Sequence, residues 1–147
     1  MEHAPKNGMP HPVVLAMHPA ELVNEYLRIV MVPDPEGAMS FVSPDLQIRF
    51  TGNRAMTAPA DCSAFNSSRY KWVKKKIEKT ELVAGGSPDE TVVYSIGTLY
   101  GEWPDGTPFA GNRYVDRYVV SQGLITRLDV WNDSAEWLMV RAGLAAL

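Results

Sequence analysis

Residues 73–131 consist almost entirely of strand-length runs separated by turn signals. The run 73–84 stops at Gly85-Gly86-Ser87-Pro88, 91–103 stops at Pro104-Asp105-Gly106, 109–121 stops at Gln122-Gly123, and 124–131 closes the series. Gly, Pro, Asp and Asn supply the fixed or positive φ that reversals need. The pattern therefore predicts consecutive hairpins, and so an antiparallel sheet of long strands. Such a sheet must cover one face with something else, and the covering elements lie upstream. Residues 19–32 carry Val23, Tyr26, Leu27 and Val30 at i, i+3, i+4, i+7 spacing, the mark of a helix with one buried stripe. Pro19 suits its first position and Glu21 its first turn, and Pro33 and Pro35 end it. Further helices are expected over 36–42 and 58–70. Between them, Leu46, Ile48 and Phe50 alternate with Gln47 and Arg49 as in a half-buried strand. A last helix starts at Asp133 or Ser134 and runs to about Leu144. With helices early and strands late, the plan is α+β: a curved antiparallel sheet wrapped around three N-terminal helices, with a pocket between them.

The last hairpin holds the candidate chemistry. If Gln122-Gly123 is a two-residue loop, residues whose numbers add to about 245 face each other. Asp116 then opposes Asp129, Tyr114 opposes Trp131, and Tyr118 opposes Arg127, all on one face. Two carboxylates ~5 Å apart repel by about 3 kcal/mol at an effective dielectric of ~20. That crowding would keep one proton bound near neutral pH, as acid/base chemistry requires. Two other readings of these residues stay open. Arg127 could sit between the two aspartates and keep both ionised, or a three-residue loop could send Asp129 to the opposite face.

The rest of the chain narrows the function classes. Its 147 residues, 46% hydrophobic, suit a single domain, 19–147, behind a loose N-terminal arm, 1–18. A net charge of −3 leaves no footprint for nucleic acid. Lys74-Lys75-Lys76, with Lys71 and Lys79, reads as a solvated strand edge. The one apolar stretch in the arm, 13–17, is too short for a membrane span or a secretory signal, so a cytoplasmic protein is expected. Cys62 is alone, which rules out an internal disulfide and fits a spectator thiol. His3, His11 and His18 have no ligand-like spacing, and no metal is expected. Among the aromatics most are core. Phe50, Met56, Phe65 and Trp72, together with Tyr114, Tyr118, Arg127 and Trp131, are the expected pocket lining for a flat, apolar ligand.

The stretches Leu22-Val23-Asn24-Glu25-Tyr26-Leu27, Pro33-Asp34-Pro35-Glu36-Gly37, Asn112-Arg113-Tyr114-Val115-Asp116-Arg117-Tyr118 and Gln122-Gly123-Leu124-Ile125 resemble the NTF2-like, SnoaL-like superfamily. That superfamily includes ketosteroid isomerase, polyketide cyclases, limonene epoxide hydrolase and the phenazine-biosynthesis A/B proteins. The resemblance implies a cone-shaped fold, usually a homodimer, and chemistry without cofactor on a hydrophobic aromatic or polycyclic substrate. It places Tyr26 and Asp116 at the two oxyanion donors of ketosteroid isomerase, in which an apolar site keeps the aspartic acid neutral and able to donate a hydrogen bond. Phe50 stands where that enzyme has its general base, so the same isomerisation mechanism does not carry over. Asp129 falls near the acid that SnoaL-type cyclases carry on the last strand, which makes it the implied proton-transfer group of an isomerase, cyclase or lyase. Two alternatives remain: a non-catalytic small-molecule-binding or assembly module, and an epoxide hydrolase using Asp116, Arg127 and Asp129.

Overall fold

The computed structural model describes residues 17–147; His3, His11 and most of the expected arm lie outside them. Helix α1 (Pro19–Val30) is followed by a single turn, α2 (Pro35–Ala38), and then by strand β1 (Val42–Phe50), the short β2 (Arg54–Met56) and helix α3 (Pro59–Arg69). Four long strands come next: β3 (Trp72–Ala84), β4 (Glu90–Glu102), β5 (Pro108–Ser121) and β6 (Leu124–Asn132). Helix α4 (Ser134–Arg141) closes the chain. His18, expected in the arm, caps α1 instead: its Nδ1 accepts the Ala20 amide at 3.2 Å, satisfying one of the donors a helix start leaves free. Helix α4 ends at Arg141, short of the expected Leu144, and β2 is an additional strand that the periodicity does not announce.

The six strands form one sheet in the order β2-β1-β6-β5-β4-β3. Every pair is antiparallel except β1 and β6, which run parallel. The long excursion through α3 and three strands returns the chain beside β1 in its own direction, as parallel neighbours require. Helix α1 lies in the hollow of the sheet and buries Leu22, Val23, Tyr26 and Leu27 against Ile48, Val93, Tyr118 and Leu128. Two glycines of β4 let β3 close tightly over it. A Cβ on Gly97 would lie 2.0 Å from the Lys76 carbonyl oxygen, and one on Gly101 would lie 2.2 Å from that of Trp72.

The last hairpin overturns the expected pairing. Gln122 and Gly123 do form the two-residue loop, both at positive φ (52° and 76°), and Ser121↔Leu124 and Val120↔Ile125 pair as expected. One residue further the register shifts: Val119 pairs with Arg127, Tyr118 with Leu128, and Asp116 with Val130. Thr126 is the extra residue of a bulge, its hydroxyl donating to the Val119 carbonyl at 3.2 Å. A bulge turns every later side chain of its strand to the other face. Core packing drives it, because Ile125, Leu128 and Val130 are all buried in one cluster and a regular strand could not aim residues of both parities inward.

Candidate active site

The hollow of the sheet, α1 and α3 enclose a cavity of about 90 Å³. Its walls include Tyr26 from α1, Cys62 and Asn66 from α3, Lys75 from β3, and Asp116 and Tyr118 from β5. Apolar residues, Phe50, Leu99, Leu128 and Val130 among them, fill the gaps between these polar groups.

Asp116 is 0% exposed, and its two oxygens differ. Oδ2 accepts from the Lys75 ammonium and from the Tyr118 hydroxyl at 3.2 Å. Oδ1 has no hydrogen-bond partner among the described residues. Burial pushes the carboxyl above its ordinary range, against the pull of Lys75. The ammonium also sits 4.7 Å over the Tyr114 ring, where the negative face of the ring attracts it. Tyr114 is held in turn through a 2.9 Å bond between its hydroxyl and Ser95 Oγ. Tyr26 packs edge-on against Tyr118, ring centres 5.9 Å apart. Burial raises both phenols well above their usual pKa, so both stay protonated and able to donate. It also pushes the Cys62 thiol up to about 12, which removes its thiolate at neutral pH.

The raised carboxyl has a consequence for stability. Above about pH 4 the unfolded chain releases the Asp116 proton while the folded chain retains it, so the folded state binds more protons and stability falls as pH rises. The contribution is complete below the ordinary Asp pKa and is lost as pH passes through the raised one. Melting curves from about pH 3.5 upward are therefore expected to show wild type losing stability relative to Asp116→Asn across that window; parallel curves would show an unshifted carboxyl.

The bulge removes Asp129 from this site. On the outer face it receives two bonds from Arg127, at 2.9 and 3.0 Å, and has Arg117 4.0 Å away. The expected Asp116–Asp129 crowding does not exist, and neither does the Asp116–Arg127–Asp129 set of an epoxide hydrolase, because Arg127 and Asp129 are separated from Asp116 by the sheet. Trp131 is 56% exposed on that same outer face. Asp129 itself is buried, at 8% exposure, while the Arg127 side chain is 40% exposed; the cation left behind by a substitution stays in reach of water, so the pair contributes on the order of 1 kcal/mol. Asp129→Asn is therefore expected to move stability by no more than about 1 kcal/mol, measured by urea unfolding.

Of the other expected lining residues, Phe50 and Tyr118 face the cavity. Met56 and Phe65 stand one layer behind the wall, Met56 against the Cys62 sulfur at 3.6 Å and Phe65 edge-on to Phe50 at 5.3 Å. Tyr114 supports Lys75 from beneath. Trp72 lies at the edge of the sheet, its indole nitrogen donating to Glu102. Lys75 escapes a reading by composition because it stands in a run of lysines, which suggests a solvated edge. Strand β3 is indeed an edge, yet Lys75 shares a face with Val73 and Ile77, and all three are half-buried while Lys74 and Lys76 are exposed. That alternation was the available signal. Among the described residues no group of three or more His, Cys, Asp or Glu could hold a metal ion, and no helix is long and apolar enough to cross a membrane.

No protein-family model and no curated protein sequence matches the chain. Solved structures do match. An NTF2-like protein from Burkholderia thailandensis E264 superposes with a TM-score of 0.66 at 16% identity, over 88% of this chain and all (100%) of the other. TerC, co-crystallised with polyporic acid, gives 0.61 at 17% identity over 80% of this chain and 93% of its own. A candidate polyketide cyclase from Pseudomonas putida KT2440 gives 0.60 at 14% identity over 83% and 96%.

Proposed function

We propose that this chain, which has the NTF2-like, SnoaL-like fold, is a cofactor-independent enzyme that moves a proton on an apolar, aromatic small molecule bearing a carbonyl or phenolic oxygen. The observation that carries the reading is the free Oδ1 of Asp116, a proton acceptor on a fully buried carboxyl in the wall of an apolar cavity. A catalytic base works best with its pKa near the operating pH, and burial moves Asp116 in that direction. Asp116 thus takes the proton-transfer role that the family resemblance implied for Asp129.

In the proposed step, Oδ1 takes a proton from the carbon next to the carbonyl. The C–H electron pair becomes the C=C bond of an enolate, and the carbonyl π pair moves onto oxygen. The Tyr26 hydroxyl donates to that oxygen as its charge grows. Lys75 and Tyr118 keep Oδ2 occupied, so that Oδ1 is the oxygen left for the substrate. Returning the proton to a different carbon gives an isomerisation; expelling a β-hydroxyl gives a dehydration. The likeness in fold to a protein crystallised with polyporic acid and to a candidate polyketide cyclase supports a ring-containing ligand.

Phenols and aryl ketones that raise the melting temperature, since they bind the folded state, are the compounds to test for solvent deuterium exchange at carbon by mass spectrometry. Exchange accelerated by wild type and not by Asp116→Asn is expected. Ligands that bind both proteins equally with no exchange would instead mark a non-catalytic binding shell, the reading that the Lys75–Asp116 ion pair favours if it is purely structural. The expected homodimer completes the proposal, with the outer sheet face around Trp131 as its contact; sedimentation velocity on Trp131→Glu tests it.

A further inference from the structure

Lys75 is an uncommon residue to find in a cavity wall. Its side chain is 20% exposed, whereas Lys74 and Lys76 on either side are exposed, and lysine is rarely buried without a specific partner. Here the partner is Asp116, whose Oδ2 accepts from the Lys75 ammonium. Strand β3 aims the side chain inward on the face it shares with Val73 and Ile77, and the Lys75 amide donates to the Met31 sulfur at 3.0 Å. The Tyr114 ring, 4.7 Å from the nitrogen, steadies the far end.

The pair is poorly suited to a purely structural staple. An arginine would meet both carboxylate oxygens with its planar fork. Lysine brings a point charge that reaches one, and Oδ1 of this fully buried carboxyl has no partner among the described residues. What lysine offers and arginine does not is an amine that can lose its proton and become a nucleophile. The proton has a single hydrogen bond to cross, from Nζ to Oδ2. Enclosure in an apolar cavity favours a neutral amine and a carboxylic acid over the two ions, and burial already moves Asp116 toward its protonated form. The sulfur nucleophile in the same wall is inactive, because the Cys62 thiol is pushed up to about 12.

We propose that Lys75 is a covalent nucleophile that joins an aldehyde or ketone substrate as an iminium ion, with Asp116 carrying the protons. Nζ hands a proton to Oδ2, and its lone pair attacks the carbonyl carbon. The N–C bond forms, the carbonyl π pair moves onto oxygen, and Tyr26 donates to that oxygen while it is charged. A proton from nitrogen then passes to the oxygen to give a carbinolamine. The Asp116 carboxylic acid protonates the hydroxyl, the C–O bond breaks with release of water, and the nitrogen lone pair forms the C=N bond. Asp116 ends as a carboxylate beside the iminium N–H, with Oδ1 free to take a proton from the adjacent carbon. That C–H electron pair becomes the C=C bond of an enamine, and the C=N π pair returns to nitrogen. This rests on the proposed acid/base site and deepens it. A cationic iminium draws the electron pair more strongly than a neutral carbonyl, and the substrate must be an aldehyde or ketone, since a phenol forms no imine.

Acetylacetone tests the nucleophile. This small diketone condenses with a neutral amine to a stable enaminone, adding its own mass less one water, and needs no reductant. At neutral pH it is expected to label Lys75 ahead of the exposed Lys71, Lys74, Lys76 and Lys79, as located by peptide mass mapping. Labelling of those lysines ahead of Lys75 would overturn the proposal. Acetophenone in deuterium oxide enriched in oxygen-18 separates the covalent route from direct enolisation. Imine formation and hydrolysis exchange the carbonyl oxygen with solvent, and proton removal puts deuterium into the methyl group. Wild type is expected to introduce both labels. Lys75→Arg, which keeps a cation beside Asp116 and cannot form an imine, is expected to reduce both to the rate without protein. Deuterium entering without oxygen-18, or undiminished in Lys75→Arg, would overturn the covalent role of Lys75 and keep Asp116 as the base. A Lys75 adduct with no deuterium entering the ketone would keep the nucleophile and overturn proton transfer by Asp116.

Discussion

Asp116→Asn is expected to leave a folded protein that still binds its ligand and to lower turnover by about 10²–10⁴, the range for lost general acid/base catalysis. The substitution keeps the shape and replaces a proton acceptor with a group that cannot take a proton. Its amide oxygen can still accept from Tyr118 and Lys75, so the geometry has a means of surviving. Tyr26→Phe, which removes the donor to the substrate oxygen, is expected to cost ~10² with little change in ligand affinity, because the interaction strengthens only as charge develops. Steady-state kinetics on both variants, with circular dichroism to establish the fold, checks the pair of effects. If turnover persists in Asp116→Asn, the assignment fails.

Lys75→Met is expected to produce the largest loss of stability of any single change at the site. It leaves the Asp116 carboxyl at 0% exposure without its cation, and breaking a fully buried pair costs about 3–5 kcal/mol. Lys75 itself is 20% exposed in its side chain, and Asp116 can escape part of the penalty by taking a proton. A loss of ~2–3 kcal/mol near neutral pH, shrinking as pH falls, is therefore expected in urea unfolding. Adding Asp116→Leu to Lys75→Met should recover most of it, since an apolar pair of similar volume replaces a buried ion pair with little net change. A double-mutant cycle isolates the coupling. Additive losses would mean that the two groups do not interact.

The long hairpins, the stripe on α1 and the pocket between helices and sheet were legible because each rests on local periodicity or turn chemistry. Asp116 and Tyr26 entered as site residues through the family resemblance, and the structure puts both in the wall of one cavity, Asp116 from the inner face of β5 and Tyr26 from the buried face of α1. What failed was the parity of β6. Only one residue, Thr126, separates the expected register from the observed one, yet it moves Asp129, Arg127 and Trp131 across the sheet together. The clue was present in the spacing of Ile125, Leu128 and Val130: three apolar residues that share a core cluster but not a parity. Lys75 was hidden by composition, since two exposed lysines flank it and conceal its alternation with Val73 and Ile77. Ser95 and Tyr114, which brace Lys75 from below, could not be paired without the β4–β5 register.

Asp116 serves as a proton acceptor only if burial outweighs Lys75 in setting its charge. Carbon-13 NMR titration of the side-chain carboxyls reads that balance directly, with Asp116→Asn supplying the assignment. A titration midpoint for Asp116 above the ordinary aspartate value is expected, moving higher still when a phenolic ligand fills the cavity and excludes water. A midpoint below that value would show a carboxylate permanently ionised by Lys75, an ion pair that holds the sheet and takes no proton from any substrate.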